Sequence, residues 1–336
     1  MNFFSSLYFL IIAPSILLII GSSNSIYKKL FSKILVLFIL PLYLLGMYRS
    51  SGVDISGYKR LYEVSATDLF DPGFLLLINM SKAISLSFEL FLLSLGVLTA
   101  ILYFRVSRFF SIKYGILIFV LMLHLFIVRD YSQLRLGLAC AMIIYSYTLN
   151  GKLKYLGYFF GFSIHFTGLV LISLFTYFEL ILKKKPSLIK KIFPFIVIFL
   201  FGFFINYLGA LDPRIDLYLN WDKSGYGVPV NDYKQPLFIF FIVLFHLYFN
   251  KKTISDFDLF TFCYLSSLMI FVSFSDYAIF SYRLSNVAIS LYPITIAKMF
   301  ECSRPNLNKI CGILIFIILV GLRDNSLQIL NSIEIG

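Results

Sequence analysis

Apolar runs of ~14–20 residues recur from one end of the chain to the other, and only helices or closed barrels satisfy their backbone groups inside a bilayer. The runs are continuous instead of alternating, which selects helices over barrel strands. With 60% hydrophobic and 14% charged residues, the chain holds far too little polar surface for a soluble protein of 336 residues. The sequence therefore predicts an all-α, polytopic integral membrane protein.

Charge sets the orientation. A net charge of +12 would point to nucleic acid in a soluble protein, but here the basic residues cluster in short loops between apolar runs, where they obey the positive-inside rule. No nucleic-acid partner is expected. Helices are placed at about 3–21, 31–48, 86–104, 114–128, 131–149, 155–165, 167–182, 192–210, 236–250, 258–275, 284–300 and 310–322, or about twelve crossings. The first run lacks a basic segment before it and reads as a retained helix with its N-terminus outside. The loops then assigned to the cytoplasm carry 18 of the 29 basic residues and only 4 of the 17 acidic ones.

One stretch resists a simple crossing. Residues 155–182 have basic loops on both sides, so a single helix would expose Lys183, Lys184 and Lys185 to the wrong face. Two short helices breaking around Ser163 to Gly168 remove the conflict, and irregular backbone at that depth marks a candidate site. Residues 73–85 form another apolar helix too brief to span, re-entrant or lying along the outer interface. The whole chain, 1–336, reads as a single transmembrane domain with two long external loops, 49–72 and 211–235. Cys140 and Cys263 fall inside apolar runs, while Cys302 and Cys311 flank a basic loop, so neither disulfides nor a zinc site are expected.

Charged groups at or near membrane depth need a reason to be there. Arg135 stands in Gln133-Leu-Arg-Leu-Gly-Leu-Ala139, about a turn and a half into the helix placed at 131–149, and Arg283 precedes the next-to-last crossing. With Arg49 and Arg129 they form a set whose planar forks suit phosphate oxygens. The structural alternative is snorkelling or local pairing, Arg129 with Asp130, Arg283 with Asp276 and Arg49 with Asp54. His165, in Gly161-Phe-Ser-Ile-His165-Phe-Thr-Gly168, sits at the expected break and suits a general base, neighbouring arginines favouring its neutral form. Its alternative is a core histidine bonded to a carbonyl, the reading preferred for His124 and His246. Asp54, in Arg49-Ser-Ser-Gly-Val-Asp54, can orient Arg49 or bind a sugar hydroxyl, its alternative being a mere turn residue. Tyr58, Tyr62 and Trp221 can stack on sugar rings, although interfacial aromatic belts favour the same residues. No Walker-type loop, Rossmann glycine set or His-Glu-x-x-His appears, so the substrate must arrive already activated and no cofactor is expected.

At the segments Arg49 to Tyr58, Arg135 to Ala139, Ile164 to Thr167 and Arg283-Leu284, the chain resembles the EpsG/Wzy-type family of bacterial polysaccharide polymerases. Order and approximate spacing match over about residues 30–300. Two features depart from the family pattern: Phe166-Thr167 follows the histidine, and Arg129 is an added charge. The resemblance implies a metal-independent membrane glycosyltransferase, similar to the GT-C class, in the bacterial inner (plasma) membrane. It would polymerise undecaprenyl-pyrophosphate-linked oligosaccharide repeats at the periplasmic or extracellular face, for O-antigen, capsule or exopolysaccharide. Arg49, Arg135 and Arg283 would then bind donor pyrophosphate, with Arg129 beside them, and His165 would be the base, with Asp54 in reserve. Donor, acceptor and membrane lipid are the implied partners, with a chain-length regulator or a flippase as companion. A flippase of lipid-linked sugars and a polysaccharide ligase are the rival functions.

Overall fold

The computed structural model describes residues 25–48, 55–63, 71–111, 115–125, 133–184, 186–209, 234–249, 258–275 and 277–302, and every regular element in them is helical. The crossings expected at 3–21 and 310–322 lie outside the described residues. Of the described helices, Phe88–Phe110 is long and apolar enough to cross a membrane, and Leu134–Tyr147 and Leu259–Ser273 are shorter apolar helices. The helices group into two compact units, one of residues up to 166 together with those from 293, the other of residues 167–292.

The first unit opens with α1 (Ser25–Met47), α2 (Ile55–Glu63), α3 (Pro72–Ala83) and α4 (Phe88–Phe110). It continues with α5 (Gly115–Leu125), α6 (Leu134–Tyr147) and α7 (Lys152–Ile164). Ser87 caps α4 by accepting a hydrogen bond from the Leu90 amide at 3.3 Å, so this helix has a defined start. Small residues then let it approach its neighbour. A Cβ added at Gly96 would lie 2.7 Å from Met47 Cγ on α1, and the Tyr43 hydroxyl donates to the Gly96 carbonyl at 2.8 Å. While Phe91, Leu92 and Leu95 are buried, Leu90, Val97, Ile101 and Phe104 on the same helix are exposed. An apolar surface turned outward in this way suits lipid far better than water.

Two sequence expectations change here. The stretch 49–72 is more than a loop, because α2 lies within it. Ile55, Tyr58, Leu61 and Tyr62 recur at helical spacing and are all buried, an amphipathic signal that outweighs Gly57. Tyr62 donates to the Leu86 carbonyl at 2.6 Å and packs on Phe88 and Phe91, tying α2 to α4. Burial, and after it Glu89, raises the Tyr62 phenol above its ordinary range, which keeps it a donor. The single helix expected at 284–300 is two, ending at Ile289 and restarting at Tyr292, because Pro293 disfavours helical backbone just before it and fits the first turn of a new helix. The α3 helix has only 12 residues, as its short apolar run suggested.

The second unit contains α8 (Gly168–Leu180), α9 (Leu188–Gly209), α10 (Lys234–Phe249), α11 (Leu259–Ser273) and α12 (Ala278–Ile289). The final described helix, α13 (Tyr292–Cys302), begins where the chain returns to the first unit. Within the second unit α11 is the hub, packing against α8, α9, α10 and α12. Its contact with α12 is polar: the buried Ser267 donates to the Ser285 carbonyl. Close approach through serines is how helices associate where lipid removes the hydrophobic drive between them. On α9, by contrast, Ile196, Phe199, Leu200 and Phe203 are exposed. Cys140 and Cys263 are buried thiols in α6 and α11, in keeping with their apolar surroundings in sequence.

Candidate functional site

The site is built on a helical hairpin. Helices α6 and α7, of 14 and 13 residues, are joined by a turn whose last residue, Gly151, has φ +63°, a left-handed conformation natural to glycine. Two antiparallel helices of nearly equal length bring the start of one and the end of the other to the same end of the hairpin. Arg135 is the second residue of α6, and His165 follows the last residue of α7. Thus 30 residues of sequence separation close into one neighbourhood.

Glycines set how tightly the hairpin closes. In Gly157-Tyr-Phe-Phe-Gly161, a small-x-x-x-small stripe on α7, a Cβ at Gly161 would lie 2.5 Å from Ile143 Cγ1 and 3.3 Å from the Ala139 carbonyl. At Gly157 it would lie 2.8 Å from Ser146 Cβ. The same device recruits α3: a Cβ at Gly73 would stand 2.8 Å from the backbone carbon of Ser163. The beginning of α3 is thereby pressed against the end of α7.

That contact delivers Asp71. It holds the N-cap position of α3, ahead of Pro72, and its carbonyl accepts from the Phe74 and Leu75 amides, both at 3.1 Å. A carboxylate here would ordinarily cap its own helix, yet the Asp71 side chain makes no cap bond. It reaches outward instead. Oδ2 accepts from Arg135 Nη1 at 3.0 Å, Oδ1 accepts from the Phe166 amide at 3.4 Å, and Oδ2 lies 3.9 Å from His165 Nδ1.

Each bond answers a local need. The chain breaks between α7 and α8 as expected, His165 taking an extended conformation at φ −155°, ψ 120°. Backbone amides freed at such a break require partners, and Asp71 supplies one to Phe166. Arg135 lies at the positive end of the α6 dipole, where a cation is disfavoured, so a carboxylate beside it relieves the conflict. The arginine expected a turn and a half inside its helix is in fact in the first turn, since α6 starts only at Leu134. Its guanidinium also lies over two rings, with Cζ 5.6 Å from Tyr58 and 5.7 Å from Phe74. Side-chain exposure is 16% for Arg135 and 8% for Asp71 and His165, so water screens these charges poorly.

The structure therefore joins Arg135 and His165 through Asp71, a residue not singled out from the sequence. The available signal was Asp71-Pro72 ahead of a short apolar run, which announces a cap but not a partner 64 residues away. Tyr58 and Tyr62 are buried packing residues here instead of open platforms for sugar: Tyr58 backs Arg135, and Tyr62 anchors α2. Arg283 lies in the second unit, half-buried and inside α12 instead of ahead of it, because that helix begins at Ala278. Arg49, Asp54, Arg129 and Trp221 lie outside the described residues. His246 has a structural partner, its Nε2 standing 2.8 Å from Asp258 Oδ2.

A carboxylate, a guanidinium and an imidazole in one corner can bind an anion and move a proton. Comparison with known proteins adds a family. The family model described as the EpsG family matches residues 32–323. No curated protein and no solved structure matches the chain.

Proposed function

We propose that this chain, which belongs to the EpsG family and is membrane-associated, is a multi-pass inner-membrane glycosyltransferase. It elongates polysaccharide from undecaprenyl-pyrophosphate-linked oligosaccharide repeats on the extracytoplasmic side. The reading rests on one observation above others: Arg135 and His165, from the two arms of a hairpin at its open end, both face Asp71 in a buried corner.

The chemistry follows from those groups. An acceptor hydroxyl gives its proton to the His165 imidazole as its oxygen attacks the anomeric carbon of the donor sugar. The bond from that carbon to the pyrophosphate breaks, and the electron pair leaves with the phosphate oxygen. Arg135 stabilises the charge developing there, in surroundings where little water competes. Because the donor is activated and its leaving group is held by permanently charged guanidinium, the reaction as drawn uses neither metal nor nucleotide. Arg49, Arg129 and Arg283 are assigned to donor binding, Asp54 to a reserve base and Trp221 to sugar contact, on the family pattern and residue chemistry alone.

The test is purified protein in detergent, given a lipid-linked repeat and resolved on a gel. A ladder of longer products is expected. Lipid-linked sugar crossing a vesicle without elongation would replace the polymerase with a flippase, and one-step transfer of a finished polymer would replace it with a ligase.

A further inference from the structure

Asp71 stands where two partners compete for one oxygen. Oδ2 is 3.0 Å from Arg135 Nη1 and 3.9 Å from His165 Nδ1, so it bonds the first and falls about 1 Å short of the second. Meanwhile Oδ1 holds the Phe166 amide, and the carboxylate makes no cap bond to its own helix. A group relieved of its local duty and suspended between cation and imidazole is well placed to change allegiance.

We propose that Asp71 is a positioning residue whose carboxylate passes from Arg135 to His165 when the donor pyrophosphate binds. The inference rests on the reading of Arg135 as a donor ligand and of His165 as the base. Phosphate oxygens entering the corner take over the guanidinium, and their charge repels the carboxylate they displace. With the Phe166 amide as pivot, Oδ2 closes on Nδ1. That bond fixes the proton on Nδ1, leaves the Nε2 lone pair for the acceptor hydroxyl, and stabilises the imidazolium that forms as the hydroxyl proton arrives. Among the described residues, the charged and titratable groups that face one another in this corner include His165, Asp71 from α3, Arg135 from α6 and, behind the arginine, Tyr58 from α2. The base is thus armed by the donor, which keeps the acceptor from being activated at an empty site.

The discriminating variant is Asp71→Asn, which keeps an oxygen for the Phe166 amide and loses the charge. Binding of methylenebisphosphonate, a stable pyrophosphate mimic, should be unchanged or several-fold tighter, since Arg135 loses its internal competitor. In the elongation assay kcat should fall on the order of 10²-fold with no rise in KM for the lipid-linked repeat. Arg135→Lys should lose bisphosphonate binding instead. Weakened bisphosphonate binding in Asp71→Asn, or an unchanged kcat, overturns the proposal.

Should Asp71→Asn fail to purify as a monodisperse protein, the wild type decides. The chain has three histidines, so a ¹⁵N-histidine spectrum is simple, and His165→Gln assigns the resonance. Bisphosphonate should move the His165 Nδ1–H proton downfield; a resonance that stays in place overturns the proposal. The two layers separate cleanly. Elongation by His165→Gln removes the base, and the Asp71 role with it, whereas an inactive His165→Gln beside a fully active Asp71→Asn removes only Asp71.

Discussion

Among the described residues histidine stands beside aspartate in two places, and the two are built differently. In the second unit His246 Nε2 lies 2.8 Å from Asp258 Oδ2, while Asp258 Oδ1 accepts from the Thr261 amide at 2.8 Å and caps α11. Partner and cap are 12 residues and three residues away, so this pair is local and holds a helix start. In the first unit Asp71 leaves its helix uncapped and reaches partners 64 and 95 residues away, with the imidazole still 3.9 Å off. Stability alone favours the first arrangement. The second forgoes a cap worth about 1 kcal/mol to hold unlike charges in one corner, the kind of local sacrifice expected where a protein does chemistry.

The sharpest way to break this contrast is to remove each histidine. His165→Ala should lower elongation by on the order of 10²–10⁴-fold, whereas His246→Ala should leave turnover near wild type and lower the melting temperature, as gel ladders and thermal scans would report. Equal effects on turnover would erase the distinction. Arg135→Lys keeps the charge and loses the fork; elongation should fall by on the order of 10²-fold, and full activity would count against a guanidinium-held leaving group. Gly161→Val pushes α7 off Ile143 and the Ala139 carbonyl, shifting His165 relative to Arg135. A loss of about 1–3 kcal/mol in stability and on the order of tenfold in rate is expected, the rate loss being the informative part. Smallest of all, Asp258→Ala should cost about 1–2 kcal/mol from the lost cap while the elongation rate is unchanged.

Much of the fold was open to reading because lipid imposes a coarse code. The long apolar runs among the described residues are helices, and the conflict of basic loops around residues 155–182 located the break at His165. What failed were features decided by a few residues. The helix Ile55–Glu63 hid behind Gly57 and a polar composition, and Pro293 split a run whose hydropathy is continuous. The site divides along the same line. Arg135 and His165 are rare polar residues in apolar surroundings, so sequence singles them out as candidates. Asp71 looks like an ordinary cap before a proline, and only its contacts with Arg135 and the Phe166 amide, made where Gly73 packs on Ser163, show where its carboxylate goes. Likewise, Tyr58 and Tyr62 had the composition of a sugar platform, and burial assigned them to support.

The central claim is that Arg135 and His165 act on one substrate as one device. Single-turnover elongation of a lipid-linked repeat by Arg135→Lys, His165→Gln and the double variant addresses it most directly. Groups that work as a unit are non-additive, so the double variant should be hardly slower than the worse single one. Losses that multiply, each residue costing the same with or without the other, would contradict the account.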